Sequence, residues 1–206
     1  MSDNALKYVE GLPDNIQEIF NSVYWDVVWL QCKWDFYLGL FGSRENTDLL
    51  SDLAQTPFKI IEESLRSDMA MAICRLRDPS RSTINGKTFD NLSLETLIER
   101  SGKVKDAASL LQDFRSASKS VHDYRNKGVA HNDLSSSIRP TDNPLPGIGR
   151  SQIDKILKLS WQILNMVYQN FVSGTELSSR VLVMSSADTL IYWLKLAREC
   201  GSKGIK

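Results

Sequence analysis

The apolar residues near the start of the chain recur every three or four positions, which is the period of an amphipathic α-helix. This line runs from Ile16 to Phe41, and Asp14 and Gln17 have the spacing of a capping box at its start. Gly42 ends the predicted helix. A second apolar line on the same segment indicates burial on more than one side: Trp25, Trp29, Phe36 and Leu40. At this spacing the aromatic side chains favour core or dimer packing over a base-stacking surface.

The same period predicts helices along most of the remaining chain. They comprise a short piece at 46–54, a long helix at 56–77, a short one at 93–100, a helix at 104–124, one at 151–174 and a final one at about 185–200. Their start signals include Thr56-Pro57, Ser151 with Asp154, and Ser185 with Asp188. Residues 201–206 are expected to fray.

Turn-forming residues mark two polar loops between these helices. One is 79–92, which contains Asn85-Gly86 and begins at a proline that ends the preceding helix. The other is 132–149, and a loop of this length beside a candidate site is typical of a functional or mobile segment. Residues 180–184 have strand-like composition but no second strand to pair with, so we interpret them as a connector or a helical turn.

These elements predict an all-α fold, a helical bundle with four long helices and a few shorter ones. At 206 residues the chain is expected to form one domain, 1–206. Its core is predicted at about 12–175, and the C-terminal helix is expected to pack on that core.

Composition limits the location and the partners of the protein. Lys and Arg total 25, as do Asp and Glu, so nucleic-acid binding requires a local basic patch rather than an overall field. The polar N-terminus and the lack of a run of about 18 apolar residues predict a cytoplasmic protein that does not enter a membrane. Cys32, Cys74 and Cys200 are far apart and lack C-x-x-C pairing, which predicts free thiols. With two histidines in the chain, a zinc site would need an unusual set of distant ligands, so we expect no metal site. We also expect no cofactor.

A local basic patch occurs between residues 119 and 131. Its members are Lys119, His122, Arg125, Lys127 and His131, with Asp123 as the intervening acid. An imidazole, with a pKa near about 6.5, exchanges protons near neutrality. A guanidinium binds phosphate oxygens with a planar fork. This pair of side chains suits cleavage of an RNA phosphodiester without a metal ion.

Ideal helical geometry would separate the arginine from the histidine. Six steps place the Cα atoms of Arg125 and His131 about 9 Å apart along the axis and about 120° apart around it. Either Gly128 loosens the helix, or a second copy of the chain completes the site. The spacing alone is weak, because Arg115 and His122 also match R-x(4–6)-H. The aromatic, amide and alanine residues that accompany Arg125 distinguish its match.

The segment Tyr-Arg-Asn-Lys-Gly-Val-Ala-His at 124–131 resembles the R-x(4–6)-H signature of HEPN domains. Upstream, Ala-Ile-Cys-Arg-Leu-Arg-Asp-Pro at 72–79 is similar to a helix end in the abortive-infection U branch of that superfamily. The resemblance covers roughly residues 10–175. It implies a HEPN-like helical bundle that forms a homodimer in which two motifs face each other. It also implies metal-independent endoribonuclease activity on RNA, often in phage defence or in toxin systems with an antitoxin partner.

Carried onto this chain, the resemblance implies that Arg125 holds the scissile phosphate and that His131 is the general acid or base. Asn126 would orient the phosphate or the histidine. The expected products are a 2′,3′-cyclic phosphate (or 3′-phosphate) and a 5′-hydroxyl. The basic patch supplies the candidate substrate-binding residues Lys119, His122 and Lys127.

Other interpretations of these residues stay open from the sequence. Arg125 and His131 also suit the capping and solvation of a helix end, and His122 suits an ordinary surface or dimer face. Arg75 and Asp78 are predicted to form a local ion pair near their helix end. For the whole protein, the alternative is a non-catalytic helical interaction module, such as a partner of a nucleotidyltransferase or an antitoxin.

Overall fold

The computed structural model describes residues 9–102, 104–126, 148–178 and 186–204. Its described elements are, in chain order, α1 (Asp14–Phe41), α2 (Arg44–Arg77), β1 (Arg81–Ile84), β2 (Lys87–Asp90), α3 (Leu94–Arg100), α4 (Ala107–Ala117), α5 (Lys119–Tyr124), α6 (Arg150–Gln169) and α7 (Ala187–Gly204). The predicted all-α class is confirmed, since the described strands form one small two-stranded sheet.

Helix α1 is the central element of the fold. It contacts α2, α3, α6 and α7, and its apolar residues form one core with residues of α2, α4 and α6. Phe20, Val23 and Val27 are fully enclosed, and burying such side chains contributes about 1.5–3 kcal/mol each. Tyr24 of α1 packs edge-on against Trp161 of α6, with ring centroids 5.8 Å apart. These contacts agree with core packing as the role of most α1 aromatics.

The start of α1 differs from the predicted capping box. Pro13 is the N-cap residue, and no side chain caps this end of the helix. Gln17 instead donates from Nε2 to the carbonyl of Val9, while the Val9 amide donates to Asn21 Oδ1. The predicted capping box of Asp14 and Gln17 was wrong because the Gln17 side chain forms a hydrogen bond with the segment that precedes the helix.

Helix α2 joins the two helices predicted at 46–54 and 56–77. The backbone leaves helical geometry at Ala54 alone (φ −163°, ψ 74°), three residues before Pro57, which lacks the amide hydrogen that the helix requires. The break was therefore predicted close to its position, but the helix continues through it as a kink. Ser43 caps the first turn, so the helix begins two residues earlier than predicted.

The predicted loop at 79–92 contains a β-hairpin, which corrects the sequence prediction. Strands β1 and β2 pair antiparallel, with Ile84 opposite Lys87. Asn85 and Gly86 both have positive φ (51° and 75°), as the tight hairpin turn between twisted strands requires. The strands are four residues long and almost wholly exposed, so they lack the apolar alternation that would have revealed them.

The helix predicted at 104–124 is divided into α4 and α5 at Ser118. This residue is fully buried, and its hydroxyl donates to the Phe114 carbonyl four residues back at 2.7 Å. Such a bond competes with the helical pattern and bends the chain. The first helical residue is Ala107 rather than Val104, because Asp106 adopts a left-handed conformation (φ 62°).

Helix α6 also begins and ends differently from the prediction at 151–174. It starts at Arg150 after Gly149, without a side-chain cap. Asp154, predicted as part of a capping box, instead accepts a hydrogen bond from the indole Nε1 of Trp34 at 2.7 Å. The helix stops at Gln169, and the chain to Gly174 forms turns.

Helix α7 packs on α1 and α2 and forms a second, smaller core with them. A Cβ atom at Gly39 of α1 would collide with Cβ of Ala187, so the two helices meet at this glycine. The helix reaches Gly204, four residues beyond its predicted end near residue 200. The predicted connector at 180–184 and the cap at Ser185 lie outside the described residues. Within the described ranges, no helix combines the length and apolar content of a membrane span.

Candidate functional site

The candidate site lies where α5 contacts α2. Helix α5 begins after the break at Ser118, and its buried Val121 packs into the main core. Gln152 of α6 holds the junction between α4 and α5, because its Nε2 donates to the Ala117 carbonyl at 2.7 Å and to the Ser120 hydroxyl. Helices α2 and α6 therefore both position α5.

Asn126 links an arginine to a histidine at the end of α5. Nη1 of Arg125 donates to Oδ1 of Asn126 at 2.9 Å, and Nδ2 of Asn126 lies 3.3 Å from Nδ1 and 3.4 Å from Nε2 of His122. A guanidinium only donates, so the amide oxygen must face Arg125 and the amide nitrogen must face His122. The amide can then donate to whichever ring nitrogen of His122 carries no proton.

The conformation of the backbone changes at this point. Arg125 and Asn126 are π-helical rather than α-helical. Single π-helical turns inside helices are frequent at functional sites.

Arg125 is partly buried. Its Nε is enclosed and has no hydrogen-bond partner among the described residues. A buried donor without an acceptor costs about 1–3 kcal/mol. Because this atom is enclosed, a bound oxyanion would have to accept from the Nη atoms of the guanidinium rather than from Nε.

Asp78, the residue that ends α2, belongs to the same group of side chains. Burial raises the pKa of its carboxyl, and the positive charge of Arg125, followed by that of His122, opposes this rise. The predicted Arg75–Asp78 ion pair was wrong, because no such pair forms within the described part of the chain. The charge of Arg75 still opposes the rise that burial causes in the pKa of Asp78, and it does the same for Asp26 of α1. The residue before Pro79 is extended (φ −54°, ψ 148°), which directs Asp78 away from the helix.

Cys74 and Arg77 from the last turns of α2 complete this group. Burial raises the pKa of the Cys74 thiol, and Arg125 is the largest opposing influence. Nε of Arg77, like that of Arg125, is enclosed without a hydrogen-bond partner among the described residues. These electrostatic interactions are not apparent from the sequence, although the Arg77-Asp78-Pro79 helix end belongs to one of the two motifs. All three cysteines are free, as predicted.

A family model named HEPN_AbiU2, described as AbiU2, matches residues 13–188. The chain belongs to this family. Comparison with curated proteins and with solved structures found no match. The match confirms the resemblance inferred from the two motifs, and it spans α1 to the first turn of α7. The HEPN motif at 125–131 and the helix end at Asp78 both lie inside it.

The competing R-x(4–6)-H match has a structural explanation within the HEPN fold. Arg115 forms an ion pair with Glu95 of α3, with Nη2 and Oε2 3.1 Å apart. The same carboxylate accepts the Ser80 amide at 2.6 Å at the base of the hairpin. Arg115 therefore joins α4 to α3 and the hairpin, and the break at Ser118 separates it from His122.

The remaining predicted site residues are placed as follows. Lys119 is exposed at the first position of α5. Lys127 and His131 lie outside the described residues, so their positions relative to Arg125 stay predictions. In the described ranges, no three His, Cys, Asp or Glu side chains are grouped as metal ligands.

Proposed function

We propose that this HEPN_AbiU2 protein is a metal-independent endoribonuclease. The observation that carries the proposal is the partly buried Arg125 guanidinium, which is joined through Asn126 to an imidazole. A fixed cation beside a group that exchanges protons near neutrality suits phosphodiester cleavage.

In this mechanism Arg125 binds the oxygens of the scissile phosphate and stabilises the charge that develops in the transition state. A base, assigned to one copy of His131, takes the proton of the 2′-hydroxyl. The 2′-oxygen then attacks phosphorus, the bond to the 5′-oxygen breaks, and an acid protonates the leaving oxygen. The products are a 2′,3′-cyclic phosphate and a 5′-hydroxyl. Lys119, His122 and Lys127 would contact neighbouring phosphates.

The proposal places the site between two copies of the chain. Acid and base roles require two proton-exchanging groups on opposite sides of the phosphate. A homodimer whose two motifs face each other supplies two copies of His131. Static light scattering tests this arrangement, because a mass of 23.3 kDa, that of one chain, contradicts it.

The activity itself is tested by incubating the purified protein with total tRNA in EDTA. Cleavage is expected, with 5′-hydroxyl products, and it should be lost in His131→Ala and Arg125→Ala. Arg44→Ala is the matched control, because the Arg44 side chain is 94% exposed and lies on the first turn of α2. Intact RNA at high protein concentration, or equal cleavage by all variants, contradicts the proposal.

The family name supports a role in abortive infection, so we propose a toxin or phage-defence effector restrained by an antitoxin. The second candidate is a non-catalytic interaction module. It is favoured by α7, where Tyr192 and Trp193 are 61% and 59% exposed just beyond the end of the family match at residue 188. A stable complex with an adjacent-gene product, formed by a protein that leaves RNA intact, would identify this second role.

A further inference from the structure

A cavity of about 210 Å³ lies between α1, α2, α5 and α6, and the candidate RNA site does not use it. Its apolar wall includes Trp34, Met69, Val121 and Ile153, and two arginines line it as well, Arg66 and Arg150. A mostly apolar cavity with a few convergent polar groups is typical of a small-molecule site.

The aromatic part of the wall is held in place. The rings of Trp34 and Tyr37 are stacked, with centroids 5.6 Å apart and planes 8° apart. The Trp34 indole donates to Asp154, and the Tyr37 hydroxyl donates to Glu62 at 3.2 Å. A dry cavity of about 150 Å³ accepts one benzene molecule. The cavity here therefore has room for one aromatic ring with a small substituent.

The polar part of the wall is positively charged. Arg150 is held by its bonds to the carbonyl groups of Gly42 and Phe41, at 2.7 and 3.2 Å. Arg66 has neither a hydrogen bond nor an ion pair with any described residue. Both charges act on Tyr37, where they oppose the rise that burial and Glu62 cause in the pKa of its hydroxyl.

The start of α6 adds to the positive charge of this part of the cavity wall. Arg150 is the first residue of that 20-residue helix, and its N-cap residue, Gly149, has no side chain to cap the first amide groups. Unpaired amides and the helix dipole favour an anion at such an end. The planar fork of an arginine matches the geometry of a carboxylate.

We propose that this cavity binds a small aromatic carboxylate. The ring lies against Trp34, Met69 and Val121, and the carboxylate lies between Arg66 and Arg150 at the start of α6. The proposal is independent of RNA cleavage, because it requires neither Arg125 nor His131.

Benzoate is the probe, and the indole N–H signals of the ¹⁵N-labelled full chain are the readout. The chain has five tryptophans, and Trp34→Phe identifies the Trp34 signal. With benzoate at about 5 mM, the Trp34 signal should shift, because a ligand changes the surroundings of that ring. Trp29 and Trp193 are 56% and 59% exposed and lie outside the cavity wall, so their signals should stay in place. Equal shifts of all three signals, or no shift at Trp34, overturn the proposal.

Three further probes test the chemistry of the ligand. Acetate supplies the anion without a ring, benzyl alcohol supplies the ring without a charge, and adenosine monophosphate supplies a larger aromatic anion. Titrations that follow the Trp34 signal should show each of them binding at least roughly tenfold more weakly than benzoate. Tighter binding by any of them contradicts the assignment to a small aromatic carboxylate.

The variant Arg66→Gln tests the charged part of the site. It should weaken benzoate binding by roughly tenfold or more, since it removes a charge-assisted bond. Arg66 is exposed, so the variant should fold, and an unchanged thermal unfolding midpoint checks this. Arg44→Gln removes an arginine from the same helix, away from the cavity, and should leave binding unchanged. Equal affinity in Arg66→Gln and the native protein refutes the carboxylate position.

Discussion

Replacing Asn126 with alanine tests the contact on which the candidate site depends. The change removes the hydrogen bond from Arg125 Nη1 to Oδ1 at 2.9 Å and the contact to His122. A hydrogen bond to a charged group contributes about 1.5–3 kcal/mol. Since about 1.36 kcal/mol corresponds to a tenfold change in rate, kcat/KM for RNA cleavage should fall roughly 10- to 100-fold. The expected cause is a guanidinium that no longer holds one orientation.

The assay is cleavage of a defined, end-labelled RNA, measured as initial rates over a range of substrate concentrations. Asn15→Ala is the matched control, because Asn15 is exposed near the start of α1. Asn15→Ala should keep the native unfolding midpoint within about 2 °C. Asn126→Ala should lower the midpoint by roughly 3–12 °C, because it loses the hydrogen bond to Arg125. A cleavage rate for Asn126→Ala within about twofold of Asn15→Ala would refute the reasoning.

Three predictions concern stability. Burial raises the pKa of Asp78 above 3.8 in the folded protein, so the native protein loses stability as the pH rises through that folded-state pKa. Urea titrations from pH 4 to 7 should show that Asp78→Asn gains stability relative to the native protein as the pH increases. Phe114→Ala should lower the free energy of unfolding by about 3–5 kcal/mol, measured by urea denaturation, because the ring is fully enclosed. Gly39→Val should cost about 1–3 kcal/mol in the same assay through its collision with Ala187, whereas Gly149→Ala, with no atom within 4 Å of the added Cβ, should be nearly neutral.

The helical class and most helix positions followed from local pattern. The apolar period of α1 predicted a helix that ends at Phe41, as observed. Helix starts were less predictable: both the box at Asp14 and the one at Ser151 were wrong. Each proposed capping side chain has another partner, Val9 for Gln17 and Trp34 for Asp154. Those partners are set by packing, which the sequence spacing does not contain.

In the candidate site, too, the local interactions were predictable from the sequence and the long-range ones were not. Arg125 and Asn126 are neighbours in sequence, so an interaction between them was predictable from the motif. Asp78 lies 47 residues before Arg125, and only the contact of α5 with α2 brings its carboxyl under the influence of that charge. The Arg115 match shares only the spacing of the Arg125 match, and its ion pair with Glu95 shows that Arg115 has a different role.

By itself, the sequence determined the helical class, the central helix and the family to which the chain belongs. Apolar periodicity and a short motif are local properties, and each was readable without knowledge of distant residues. The tertiary structure decided where the chain bends at Ser118, what surrounds Arg125, and that a cavity remains between Trp34 and Arg66. These features depend on how helices far apart in sequence pack together. Burial, desolvation and cavities arise only where such helices are in contact.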